Sequence, residues 1–215
     1  MCRCKYPKII SKKNINLVED ELGDRCYKTS FTLDSDGKNV LIISRAPKGI
    51  ESDSCNSEYR RIIKYLSGKS SELKGIKKIT IVNLFVFYEV NKEDLFREYL
   101  LEGKEYVEGN DNEVINDRII RDEIKEADYI FCAWGEPPEG MYDLYSSRVE
   151  TVLRILREEI MSSKNKKYAL KVGEISKKGY PKHCLAWSYK DEIKNLLEWE
   201  FIFKLSPWKV IQLGI

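Results

Sequence analysis

Histidine is nearly missing from this chain: His183 is the single one in 215 residues. A multi-histidine metal centre is excluded, and any Ser/His/Asp relay has to be built around His183. Cysteine occurs six times (Cys2, Cys4, Cys26, Cys55, Cys132 and Cys184) but never as a CxxC pair. Cys2-x-Cys4 is the one close pair, and no second pair or histidine stands at zinc-site spacing from it. Reduced thiols therefore suit the chain better than a disulfide framework, and neither a metal nor a cofactor is expected. Long apolar runs are lacking as well, since none approaches the roughly eighteen residues a membrane-spanning helix needs. The basic start, Met1 to Lys13, has no apolar h-region. No membrane partner and a cytoplasmic location are the resulting expectations. Charge of one sign is also scarce: 37 basic and 35 acidic side chains leave a net +2, so bulk charge does not name nucleic acid as the partner.

What is present is the composition of one globular domain, 42% apolar and 33% charged, with no internal repeat, low-complexity tract or Pro/Ser-rich linker. A single domain over 1–215 is expected, with its motif-bearing core at about residues 25–205. Apolar runs bounded by turn residues predict strands at Val40 to Ser44, Ile79 to Phe87, Tyr129 to Trp134, Tyr168 to Val172 and Glu200 to Lys204. Helical periodicity lies between them, at Tyr59 to Leu66, Glu113 to Ala127 and Ser147 to Ile160. Short apolar strands alternating with amphipathic helices predict an α/β fold, a three-layer sandwich with a mostly parallel central sheet flanked by helices. Nothing in the pattern fixes an oligomeric state, and a monomer satisfies it.

The near-neutral sum conceals two opposed segments. Glu89 to Glu126 holds thirteen acids against six bases, and Ser162 to Lys182 holds seven lysines against one acid. The acidic segment reads most simply as solvated helix faces. The basic one runs into His183, and Lys177, Lys178 and Lys182 beside Gly179 and Pro181 are candidates for gripping a nucleic-acid backbone.

In an open α/β sheet the ligand crevice lies beyond the C-terminal ends of the strands. The loop after Val40 to Ser44 offers Arg45 and Lys48 as cations and Glu51 and Asp53 as carboxylates. Asn83 is a polar side chain inside an apolar run, so its amide is either satisfied within the protein or kept for a ligand such as a nucleobase edge. Ala133-Trp134-Gly135 combines a stacking face with a residue that permits close backbone approach. His183, either a plain surface residue or a group that meets a developing anion, completes the set. Gly109-Asn110-Asp111 reads as a turn, and Cys132 as an inert core thiol.

At these residues the chain resembles a bacterial and phage family known as domain of unknown function 1643. The resemblance rests on an ordered series: Asn83-Leu84-Phe85, Gly109-Asn110-Asp111, Ala133-Trp134-Gly135, the helical Arg148, and Lys177-Lys178-Gly179-Tyr180-Pro181-Lys182-His183. It covers roughly Arg25 to Trp187. The layout in turn resembles the uracil-DNA glycosylase superfamily. That resemblance implies a glycosylase-like fold, with Asn83 reading the base, Phe85 or Trp134 stacking on it, His183 stabilising the departing base, and Glu51 or Asp53 holding the attacking water. Two positions depart from the family pattern. Ser44-Arg45-Ala46-Pro47-Lys48 stands where Leu-Asn-Pro-Ser is usual, and Cys184 follows His183 in place of proline. The expected activity is hydrolysis of the N-glycosidic bond of a modified or damaged base in DNA. The alternatives are a non-catalytic nucleic-acid or nucleotide-binding module, and a hydrolase or transferase acting on free nucleotides.

Overall fold

The computed structural model describes residues 7, 10, 14–33, 36–48, 56–88, 94–111 and 115–196. Among these residues seven strands form one sheet: β1 (Ile15–Glu19), β2 (Cys26–Thr32), β3 (Lys38–Ser44), β4 (Ile76–Asn83), β5 (Tyr129–Cys132), β6 (Tyr168–Val172) and β7 (Ile193–Asn195). Five α-helices accompany them among the described residues: α1 (Ser57–Gly68), α2 (Asp94–Glu102), α3 (Lys104–Glu108), α4 (Asn116–Glu126) and α5 (Tyr142–Ser162). The strand order is β1-β2-β4-β3-β5-β6-β7. The α/β class holds, but the sheet is not purely parallel. β4, β3, β5 and β6 pair in parallel at its centre, whereas β1-β2, β2-β4 and β6-β7 are antiparallel.

Each face of the sheet carries its own apolar core. Val40 and Ile42 of β3, Ile79 and Ile81 of β4 and Phe131 of β5 pack on Tyr59, Ile62, Ile63 and Leu66 of α1. The alternate residues Leu41, Ile43, Val82, Ile130 and Cys132 pack on the opposite side, against Leu95, Val107, Ile120, Ile124 and the Val149, Val152 and Leu156 row of α5. The period-two alternation of side chains along a strand is what divides the two layers.

The predicted strand Ile79 to Phe87 ends early, at Asn83. Leu84, Phe85 and Val86 stay fully buried but turn out of the sheet, with Leu84 and Phe85 N–H donating to the Ser44 and Arg45 carbonyls at 2.9 Å. Side chains take the place of a neighbouring strand there. Asn116 Nδ2 donates to the Asn83 carbonyl at 3.1 Å, and Arg148 Nε to that of Leu84 at 2.7 Å. The predicted strand at Glu200 to Lys204 lies outside the described residues. Among the described residues, no helix is long and apolar enough to cross a membrane.

Candidate functional site

From β3 the chain runs through α1 to β4 on one side, then by α2, α3 and α4 to β5 on the other, so the connections diverge at the C-terminal end of β3. Such a divergence opens a crevice beyond the strand ends. Ser44, the last residue of β3, is the ladder partner of Asn83, the last of β4. Both continue the α1-facing rows of their strands, Val40-Ile42-Ser44 and Ile79-Ile81-Asn83.

Above Ser44 sits a buried polar cluster. The Ser44 hydroxyl donates to Glu58 Oε1 at 2.6 Å, and the Cys184 thiol donates to the same oxygen at 3.1 Å. Ser44 Oγ and Cys184 Sγ are 3.7 Å apart, as are Cys184 Sγ and His183 Nδ1. Glu58 is only 1% exposed, and its second oxygen, Oε2, has no hydrogen-bond partner among the described residues. The carboxylate lies in the first turn of α1, where the helix dipole favours negative charge. Asn56 caps that turn, its Oδ1 accepting from Tyr59 N–H at 2.8 Å and its Nδ2 reaching the Lys48 carbonyl at 3.2 Å. Burial, and then the negative charge of Glu58, push the Cys184 thiol well above its ordinary value. It is a protonated donor here rather than a nucleophile.

Asn83 is the second unusual element. The residue is 1% exposed, and neither its Oδ1 nor its Nδ2 has a hydrogen-bond partner among the described residues. A buried amide left unpaired costs roughly 1–3 kcal/mol, so most such groups are satisfied within their own fold.

The late loop closes the cluster. Cys184 N–H donates to the Ala133 carbonyl at 3.3 Å, joining the loop to the end of β5. Trp187, 1% exposed, packs on Tyr65 at a ring-centroid distance of 5.1 Å and donates its indole N–H to the Lys182 carbonyl at 3.2 Å. His183 caps a short 3-10 turn, Cys184–Ala186, its Nδ1 accepting from Leu185 N–H at 3.2 Å. In a neutral ring that bond assigns the proton to Nε2. Gly135 has φ +74°, and a Cβ there would stand 2.8 Å from His183 Cβ. Gly135→Ala is therefore expected to cost about 1–3 kcal/mol by strain and overpacking, read as a lower urea midpoint at unchanged m-value. An unchanged midpoint would show that His183 does not depend on this close approach.

The residues singled out from sequence divide accordingly. Gly135 and His183 approach each other closely, Asn83 lies at the same end of the sheet as the ladder partner of Ser44, and Arg45 and Lys48 follow Ser44 at the start of the first loop. Glu51 and Asp53 lie outside the described residues. Phe85 and Trp134 are fully buried on the α5 side, Phe85 against Tyr145 at 5.9 Å. Of the loop lysines, Lys182 is paired with Asp191 at 2.8 Å and Lys178 with Glu136 at 3.5 Å, while Lys177 is exposed. Further back, Lys167 bonds the carbonyls of Lys125 and Ala127, so much of the basic segment serves its own fold. Gly109 is indeed a turn residue, the left-handed C-cap of α3, and Asp111 accepts from Arg25 at 2.6 Å. Cys132 is fully buried, its thiol raised by burial alone.

Sequence reasoning missed Glu58, although a signal was there. Glu58 stands four residues before Ile62 on the apolar stripe of α1, a core position that an unneeded carboxylate would not hold.

No curated protein and no solved structure shows significant similarity to the chain. Residues 27–185, well over half of it, match a family of unknown function, and the matched span takes in Ser44, Glu58, Asn83, Gly135, His183 and Cys184. The chain that builds this buried cluster therefore belongs to the family described as protein of unknown function (DUF1643).

Proposed function

We propose that the chain is a nucleobase-recognising hydrolase, similar in layout to uracil-DNA glycosylases, that breaks the N-glycosidic bond of a modified or damaged base in DNA. The observation that carries this reading is the Asn83 amide, buried at the end of β4 with donor and acceptor both unpaired among the described residues. One amide presenting both groups matches the donor and acceptor edge of a base. Cleavage leaves negative charge on the departing base and positive charge on the sugar, so the site needs an anion stabiliser and an oriented water. His183 is assigned the first role. Glu58, whose Oε2 is unpaired among the described residues, joins Glu51 and Asp53 as a candidate for the second. Phe85 and Trp134 border the strand ends from the buried side, and Leu185, 39% exposed two residues after His183, supplies apolar surface at the rim.

The test is incubation with DNA carrying uracil, 5-hydroxymethylpyrimidines or glucosylated bases, followed by detection of abasic sites. Release from at least one substrate is expected, falling roughly 10²–10³-fold in His183→Ala, the range for loss of one preorganised stabiliser of transition-state charge. No release from any substrate, together with no binding of base or DNA, overturns the reading. A second reading, hydrolysis of free nucleosides or nucleotides, is favoured by the pairing of Lys178 and Lys182 with the protein's own carboxylates, which leaves less charge for a DNA backbone. Free-nucleoside turnover with indifference to DNA would select it.

A further inference from the structure

We propose that Glu58, His183 and Cys184 form a binding site for one zinc-like divalent ion. The three side chains each offer a ligand atom, and these atoms all lie within 4.8 Å of one another. They are the three zinc donor types: a carboxylate oxygen, an imidazole nitrogen and a thiolate sulfur. Bonds of about 2.3 Å to sulfur and about 2.0 Å to nitrogen or oxygen, at tetrahedral angles, put ligand atoms about 3.5 Å apart. Cys184 Sγ stands 3.1 Å from Glu58 Oε1 and 3.7 Å from His183 Nδ1, on either side of that value.

A second observation comes from the carboxylate. Glu58 Oε2 has no partner among the described residues although the residue is 1% exposed, an arrangement that is costly for an ordinary buried hydrogen-bond cluster and suited to a cation. Ser44 Oγ, 2.6 Å from Glu58 Oε1 and 3.7 Å from Cys184 Sγ, is at hand beside the fourth position, which water takes in three-ligand sites. On binding, the Cys184 thiol proton leaves to solvent as the metal–sulfur bond forms, and the ion displaces the Leu185 N–H from the Nδ1 lone pair. The ligands reach this spot from α1 and the late loop, which brings together positions 58, 183 and 184; their sequence spacing resembles no zinc motif. Because half-buried His183 belongs to the cluster, solvent has a route to the ion.

Titration of the full chain with Zn²⁺ and with Co²⁺ tests this, without any nucleobase present, so its failure and the failure of the glycosylase reading are distinguishable. One ion per chain is expected, and Co²⁺ should give a near-ultraviolet thiolate-to-metal charge-transfer band with intense tetrahedral bands in the visible. Cys184→Ser should abolish the charge-transfer band and weaken zinc binding by roughly a hundredfold or more, whereas Cys2→Ser with Cys4→Ser should leave both unchanged. If Cys184→Ser does not fold, Glu58→Gln and His183→Gln carry the test, each weakening zinc by at least about tenfold. Absence of the band in the native chain, or its survival in Cys184→Ser, overturns the proposal. So does zinc affinity that neither Glu58→Gln nor His183→Gln alters.

Discussion

Replacing Arg148 with leucine is expected to destabilise the fold by about 3 kcal/mol, the lower end of the range for removing one partner of a buried ion pair. The guanidinium is fully buried. Its Nε holds the Leu84 carbonyl, and its Nη1 pairs with Asp117 Oδ1 at 2.5 Å and stands 3.9 Å from Glu108 Oε2. Leucine leaves that carbonyl without its guanidinium donor, takes the cation from Asp117, and leaves Glu108 with Lys104 alone among the described residues, at 3.9 Å. The lower end applies because the Asp117 side chain is 32% exposed and water can reach it. Urea denaturation at neutral pH provides the measurement, and a loss below about 1 kcal/mol would refute the assignment.

The pH dependence of the same variant is a further check. Burial raises the Glu108 carboxyl above its ordinary 4.5, and the charge of Arg148 opposes that rise. A folded-state value above the unfolded one means that the contribution of Glu108 is fully present below pH 4.5 and is lost as pH rises through the raised value. Without Arg148 the rise is larger. Stability in Arg148→Leu should therefore fall more steeply above pH 4.5 than in the native chain.

Asn83→Leu should act in opposite directions on stability and on recognition. Leucine fills nearly the same volume and removes an amide that is buried and unpaired among the described residues, so the folded state is expected to gain about 1 kcal/mol. The main-chain carbonyl that Asn116 holds is retained. Base binding, or cleavage where it is observed, should fall by about 5- to 150-fold, as loss of a bidentate base contact worth about 1–3 kcal/mol implies. Paired urea and binding measurements on one preparation read both effects. A stability loss above about 1 kcal/mol would mean that the amide is structural, and unchanged binding would remove it from the recognition site. A residue that weakens the fold while serving a ligand is the pattern expected at a functional position.

Much of the frame was legible in local pattern. β3, β5 and β6 begin or end within two residues of the apolar runs that predicted them, because a strand buried on both faces must be nearly continuous in Val, Ile and Leu. Helices α1, α4 and α5 were marked by their apolar stripes. β1 and β2 were not: INLVE is partly exposed along its length, and CYKTSFT mixes polar with apolar residues although Thr29 and Ser30 are buried, so neither makes a continuous apolar run. α2 lay inside the acidic segment, where charge masked its partly buried face. Leu84 to Phe87 read as strand because apolar runs report burial: Leu84, Phe85 and Val86 stay buried after the β4 ladder ends at Asn83, and only an isolated bridge of Phe87 to Arg25 resumes the pairing among the described residues.

For the site, the order of residues along the chain was enough to place Asn83 at the end of β4 and Gly135 just past β5, because those strands are local and periodic, whereas His183 caps a short turn in the loop well after β6. Contacts that join distant positions left no such periodic trace. Glu58 meets Cys184 across 126 positions and Ser44 meets Cys184 across 140, and only the stacking of α1 and the late loop over the β3 end brings them within hydrogen-bond reach. The scarcity of histidine confined the chemistry to one residue. Its neighbours, a buried carboxylate and a protonated thiol, were set by tertiary packing, as was the Asn83 amide left unpaired among the described residues: burial decides which polar groups find partners, and that depends on the whole sheet and both layers upon it.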